Sequence, residues 1–345
     1  MKKSTLRQYS NTLLAGAVAL AFSAGAQAQD TVTLKVADWM PLTHYTVGEG
    51  GLVFMKKATE LSNGKIQFKH YPAEQLGKAK DTLQLAQSGV ADIVNIAPAY
   101  ITEKFPLSGV AELPGIYEGA CRGSNAFAKM ASPGGILYEN EYKRNGVRVL
   151  FTGAIGAYRV LTASKQVNTA QDFAGLKLRT AGGPMDLTAA QLGATSVRMP
   201  GPDVLPSLSR GTLDGVFFPL QSVKPWGLQS GLKHMTPNLG VGSFVIVYAI
   251  SDKAWKKLSP DTQKVLTEAG QYATKSHCEY IDRTEAQTIV DLEAGGIAPT
   301  ALPENDVKAI GDKYATIHAD WAWSLDKRGR PGTQVLEAFK TTLAD

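Results

Sequence analysis

The chain has 345 residues, 44% hydrophobic and 19% charged, with a formal net charge of +5. That length supports two domains with cores of their own. No Lys/Arg block is interleaved with aromatics, so nucleic-acid binding has no footing. Two cysteines, Cys121 and Cys278, stand far apart.

The first element is a basic opening, Met1, Lys2, Lys3 and Arg7. The apolar run Leu13–Phe22 and the small-x-small exit Ala26-Gln27-Ala28 follow. Together they predict a secretory signal peptide over residues 1–28. Ten apolar residues span about 15 Å as a helix, half a bilayer core, which is too short for an anchor. Removing the segment takes three positive charges with it and lowers the net charge from +5 to +2. The rest of the chain has no apolar run long enough to span a bilayer, so an exported protein free in the periplasm is expected. In that oxidising compartment the two cysteines are expected to pair, two separately buried thiols being the alternative.

Thr31–Val36 alternates apolar and polar residues, as a half-buried strand does. Phe54, Ala58 and Leu61 share a helix face, and Asn63-Gly64 stops that helix. Ile66 and Phe68 mark a second strand, Leu83 and Ala86 a helix, and Ala91–Ile96 a third strand. The order predicts a mostly parallel sheet covered by helices. The pattern restarts with strands at 147–150, 176–179, 196–199 and 214–217, the last three separated by helices. Ser88-Gly89-Val90-Ala91-Asp92 and Arg210-Gly211-Thr212-Leu213-Asp214 match in layout, which suggests two related α/β lobes. Ser243–Ile250 is a continuous apolar strand suited to a sheet buried on both faces. Ser259, Pro260 and Asp261 open a helix that runs to Ala294, about 54 Å, enough to brace both lobes.

Enzyme motifs fail. There is no G-x-S-x-G elbow, H-E-x-x-H or C-x-x-C. A phosphate-loop-like run at 270–276 lacks its second glycine and falls inside the long helix. His44, His70, His234, His277 and His318 are scattered without metal-ligand spacing, so no metal or cofactor is expected; His44 is kept as a candidate ligand contact. Arg179 ends a strand, where open α/β sheets bind ligands, and a guanidinium there can hold a carboxylate bidentately. Arg159 lies in another strand-like run. Surface arginines with internal acid partners are the plain alternative for both.

Gly175-Leu176-Lys177-Leu178-Arg179-Thr180, Leu192–Thr195, Met199-Pro200, Leu213-Asp214-Gly215, Pro72–Gly77 and the turn from Gly89 to Asp92 come in a specific order. That series resembles the solute-binding proteins of tripartite ATP-independent periplasmic (TRAP) transporters. The resemblance implies a two-lobed periplasmic-binding-protein fold. Each lobe is a mixed sheet flanked by helices, joined by hinge strands and a long lobe-spanning helix. Lobe 1 is expected over 29–154 and about 242–285, and lobe 2 over 155–241 and about 286–345, with hinges near 153–156 and 240–243. The resemblance also implies that Arg179 pairs with a ligand carboxylate and that Arg159 supports it. The partners would be the small and large membrane subunits of the transporter.

One departure matters. Phe218 stands where many members carry an asparagine that holds the ligand. The cleft is therefore expected to be apolar, with Phe218 on one wall and Trp39 and Tyr100 opposite. The expected ligand is a small monocarboxylate with an apolar or aromatic tail. A sensory ligand-binding component is the runner-up, and a periplasmic enzyme acting on a carboxylate the third reading.

Overall fold

The computed structural model describes residues 31–344; the expected signal peptide lies outside them. Among the described residues eleven strands occur in chain order. They are β1 (Val32–Ala37), β2 (Ile66–Tyr71), β3 (Ile93–Ile96), β4 (Val147–Ile155), β5 (Arg159–Thr162) and β6 (Lys177–Thr180). Then come β7 (Thr195–Arg198), β8 (Gly215–Phe218), β9 (His234–Thr236), β10 (Phe244–Ser251) and β11 (Ala298–Pro299). They form two mixed sheets, ordered β2-β1-β3-β10-β4 and β11-β9-β5-β8-β6-β7. The chain passes from the first to the second between β4 and β5 and returns between β9 and β10. These crossings fall at the glycine-rich segments expected to hinge.

The two matching sequence motifs build the same joint in each sheet. Gly89 and Gly211 both adopt positive φ. Asp92 then accepts from the backbone N–H of Lys35 at the β1 side, and Asp214 accepts from that of Lys177 in β6, each at 2.8 Å. An aspartate thus registers a loop against the neighbouring parallel strand in both lobes.

β10 is buried throughout. Its Phe244, Ile246, Tyr248 and Ile250 join one core, and Val245, Val247 and Ala249 join another. That is the burial on both faces that a continuous apolar strand requires. The helix Pro260–Ala294 runs 35 residues, with the Ser259 side chain accepting from Thr262 N–H at its start. It packs so tightly on β4 that a Cβ at Gly270 would meet the Leu150 carbonyl oxygen at 1.9 Å. Gly270 therefore serves helix–sheet packing.

The C-terminal region departs from the expected division. β11 pairs with β9 in the second sheet. The helices Tyr314–Asp326 and Gly332–Ala344 do not follow it. Their Ile317, Trp321, Leu325, Val335, Leu336 and Phe339 pack into the core behind β3 and β10 of the first sheet. Amphipathic periodicity says that a helix has an apolar face, not which sheet that face covers.

Candidate ligand-binding site

Arg179 is the largest fully buried side chain among the described residues, at 0% exposure. Its strand, β6, lies inside the second sheet between β8 and β7. Nε donates to the Met199 carbonyl at 3.0 Å, Nη1 to the Phe217 carbonyl at 3.2 Å and Nη2 to the Tyr100 hydroxyl at 3.3 Å. None of these acceptors carries a charge, and no acidic side chain pairs with Arg179 among the described residues. A guanidinium has five N–H groups, so one remains on each terminal nitrogen. Burying a cation without a counter-ion costs several kcal/mol. A site that tolerates this is shaped for an anion.

Aromatic rings surround that charge. The Arg179 guanidinium lies 5.1 Å from the Phe218 ring centre, within cation–π range. Trp39 stacks on Trp226 at 6.0 Å and meets the edge of Tyr100 at 5.3 Å. Tyr100 and Tyr158 each contact Phe244, and Tyr158 approaches Phe218 at 6.2 Å. Trp39 and Tyr100 follow strands of the first sheet, and Arg179, Phe218 and Trp226 lie in or after strands of the second, so the cluster joins elements of both. Phe217 leaves the opposite face of β8, as the two-residue alternation of a strand demands, and packs in the cluster that also holds Trp39, Tyr158 and Phe244, while Phe218 packs with Leu161, Val204 and Val216.

Two donors face this cluster without a full set of partners. The Tyr100 hydroxyl accepts from both Arg179 Nη2 and Gly201 N–H, which leaves its own hydrogen free to donate. Burial raises the Tyr100 pKa, so that hydrogen is retained at neutral pH. The buried Trp39 indole N–H has no partner.

The structure does not bring the Arg159 guanidinium to Arg179. It pairs with Glu285 of the long helix at 2.8 Å, on the wall of a cavity of about 380 Å³ beside the hinge glycines Gly240 and Gly242. His44 is also engaged. Its Nδ1 accepts from Thr46 N–H, so its Nε2–H donates to Ser222 of the second lobe at 3.0 Å. With both nitrogens used, it offers a ligand only its ring, which stacks on Tyr45. Sequence reading missed Trp226, Tyr158 and Phe244, which sit in a loop, at a crossing and at a strand start, where no periodicity marks a cleft wall.

His44 and His277 are both held neutral, with pKa values pushed down to about 3 by burial; for His44 the nearby His277 adds to the effect. In the unfolded chain each takes a proton near pH 6.5. Stability is therefore unaffected by these groups above that pH and falls as pH drops from 6.5 towards 3. Glu112, pushed up to about 8 by burial, acts oppositely, its contribution being lost as pH rises from about 4.5 to 8. A variant isolates the histidine effect. Between pH 7 and 5, His277→Asn should lose about 2 kcal/mol less stability than the parent, read from denaturant unfolding. Identical pH slopes would contradict the neutral, buried assignment.

The sequence model of the DctP family, bacterial extracellular solute-binding protein family 7, matches residues 41–323. The chain belongs to this family. Among solved structures, a TRAP solute-binding protein from Rhodoferax ferrireducens T118, in complex with copurified benzoate, is 26% identical with a TM-score of 0.82. That match covers 91% of this chain and 98% of the other. A TRAP solute-binding protein from Bordetella bronchiseptica with bound (R)- and (S)-mandelate is also 26% identical, with a TM-score of 0.80 and coverage of 91% and 99%. The sialic acid-binding periplasmic protein SiaP of Vibrio cholerae is 27% identical over 244 residues, 70% of this chain and 74% of its own. DctP-family membership makes this chain a solute-binding protein, and its two mixed sheets and long helix are those of the TRAP fold.

Proposed function

We propose that this protein is the periplasmic receptor of a TRAP transporter and captures a small monocarboxylate with an aromatic or apolar tail. It would deliver that acid to the small and large membrane subunits. The observation that carries the reading is the fully buried Arg179, with no acidic partner among the described residues, held by Tyr100 and Phe218 with Trp39 packed on Tyr100 and Trp226. A ligand carboxylate supplies the missing charge through the two remaining N–H groups, and the Tyr100 hydroxyl donates alongside. The tail lies among the rings, where aromatic contacts contribute about 0.5–1.5 kcal/mol beyond area burial. Closure of the lobes excludes water from the ion pair and strengthens it.

Benzoate and mandelate, named with the two structural relatives, fit this chemistry. Sialic acid, named for the Vibrio cholerae relative, does not. A polyol against Phe218 loses hydrogen bonds to water at about 1–3 kcal/mol per unsatisfied group. A thermal-shift series should therefore rank benzoate and mandelate first, branched 2-oxo acids next, and galacturonate and sialic acid last. Largest shifts with the sugar acids would overturn the proposed ligand class.

A further inference from the structure

The register of the second sheet puts both arginines on one face. Arg159 in β5 stands opposite Phe218 in β8, and Arg179 in β6 stands beside Val216. Val216 and Phe218 are two residues apart on one strand, so all four side chains leave the sheet in the same direction. Phe218 thus sits between two guanidinium groups, with one of them 5.1 Å from its ring. The two cations differ in one respect. Arg179 has no acid, whereas Arg159 is held by Glu285 at 2.8 Å. Glu118 lines the same cavity as that pair. Two carboxylates and one guanidinium therefore share that wall.

We infer that Glu285 is a specificity-determining residue: by neutralising Arg159 it leaves one uncompensated cation, so that the cleft accepts one carboxylate and rejects a second. The inference rests on the proposal that Arg179 receives a ligand carboxylate. A dicarboxylate bound at Arg179 directs its second charge along the Phe218 face towards Arg159, where it meets Glu285 already in place and Glu118 nearby. Like charges brought together oppose binding, most of all at the part-buried Glu285. Freeing Arg159 would turn that repulsion into a second binding point. Glu285 projects from the long helix, which packs on β4 of the first sheet.

The test compares two acids that differ by one carboxylate, 3-phenylpropanoate and phenylsuccinate, by titration calorimetry. The parent protein should prefer 3-phenylpropanoate. Glu285→Gln keeps the side chain's shape and removes its charge, and it should shift the affinity ratio towards phenylsuccinate by about tenfold or more. The double variant Arg159→Met/Glu285→Gln should return the preference to the monocarboxylate. A ratio in Glu285→Gln within about twofold of the parent's would overturn the inference and leave the carboxylate site at Arg179 standing. If the parent bound neither acid, the proposed ligand class and this inference would fall together.

Discussion

Arg179→Ala is expected to weaken binding of an aromatic monocarboxylate at least a hundredfold. Removing one partner of a buried charge pair strands the other and costs about 3–5 kcal/mol. Arg179→Lys should recover little, because an ammonium cannot present two parallel N–H groups to a carboxylate. Lysine would also lose geometry within the protein, where the guanidinium reaches the Met199 carbonyl, the Phe217 carbonyl and the Tyr100 hydroxyl from three separate nitrogens. Stability should move differently from affinity. The unliganded protein buries this cation without a counter-ion, and an apolar replacement of similar volume removes that cost. Arg179→Met removes that cost but leaves the acceptors at Met199, Phe217 and Tyr100 without this donor, so its melting temperature should change far less than its affinity. Calorimetry and thermal melting on the same preparations separate the two effects. Near-parent affinity in the lysine variant would mean that charge alone, without the fork, holds the ligand.

The second large effect lies at the disulfide. Cys121 and Cys278 are bonded, with Cα atoms 4.6 Å apart and a sequence separation of 157. Cys121 sits in the first turn of the helix Ala120–Ala131, and Cys278 near the middle of the long helix. Closing so long a loop restricts the unfolded chain by about 5 kcal/mol in the chain-entropy model. The native contact does not depend on the bond alone. Asp282, one turn along the long helix, accepts from the backbone N–H groups of Ala120 and Cys121. Reduction, or Cys121→Ser with Cys278→Ser, should therefore leave the fold intact and lower unfolding stability by about 2–5 kcal/mol. Superimposable denaturation curves with and without reductant would contradict this.

Much of the fold could be read from local pattern. The strand and helix order, the long helix opened by Ser259-Pro260 and the paired Gly–Asp joints depend on residues close in sequence. Their chemistry is local too: positive φ at Gly89 and Gly211, and a cap at Ser259. The destination of the last two helices was not legible, because their apolar faces suit any core. The candidate site divides in the same way. Strand ends and a family pattern point to Arg179, Phe218, Trp39 and Tyr100 as candidates, and in the structure Phe218 and Tyr100 contact the Arg179 guanidinium while Trp39 packs on Tyr100. Trp226 completes the wall from a loop beyond Pro219, and nothing local distinguishes it from a core tryptophan. The partner of Arg159 lies 126 residues away, so sequence spacing could not distinguish a free guanidinium from one already neutralised.

On the proposed function, the uncompensated charge of Arg179 receives the ligand carboxylate. A crystal structure of the protein with benzoate tests it most directly. Both carboxylate oxygens should lie within about 2.8 Å of the terminal nitrogens of Arg179, with the ring between Trp39 and Phe218. A carboxylate bound elsewhere, with Arg179 still bonded only to Met199, Phe217 and Tyr100, would contradict it.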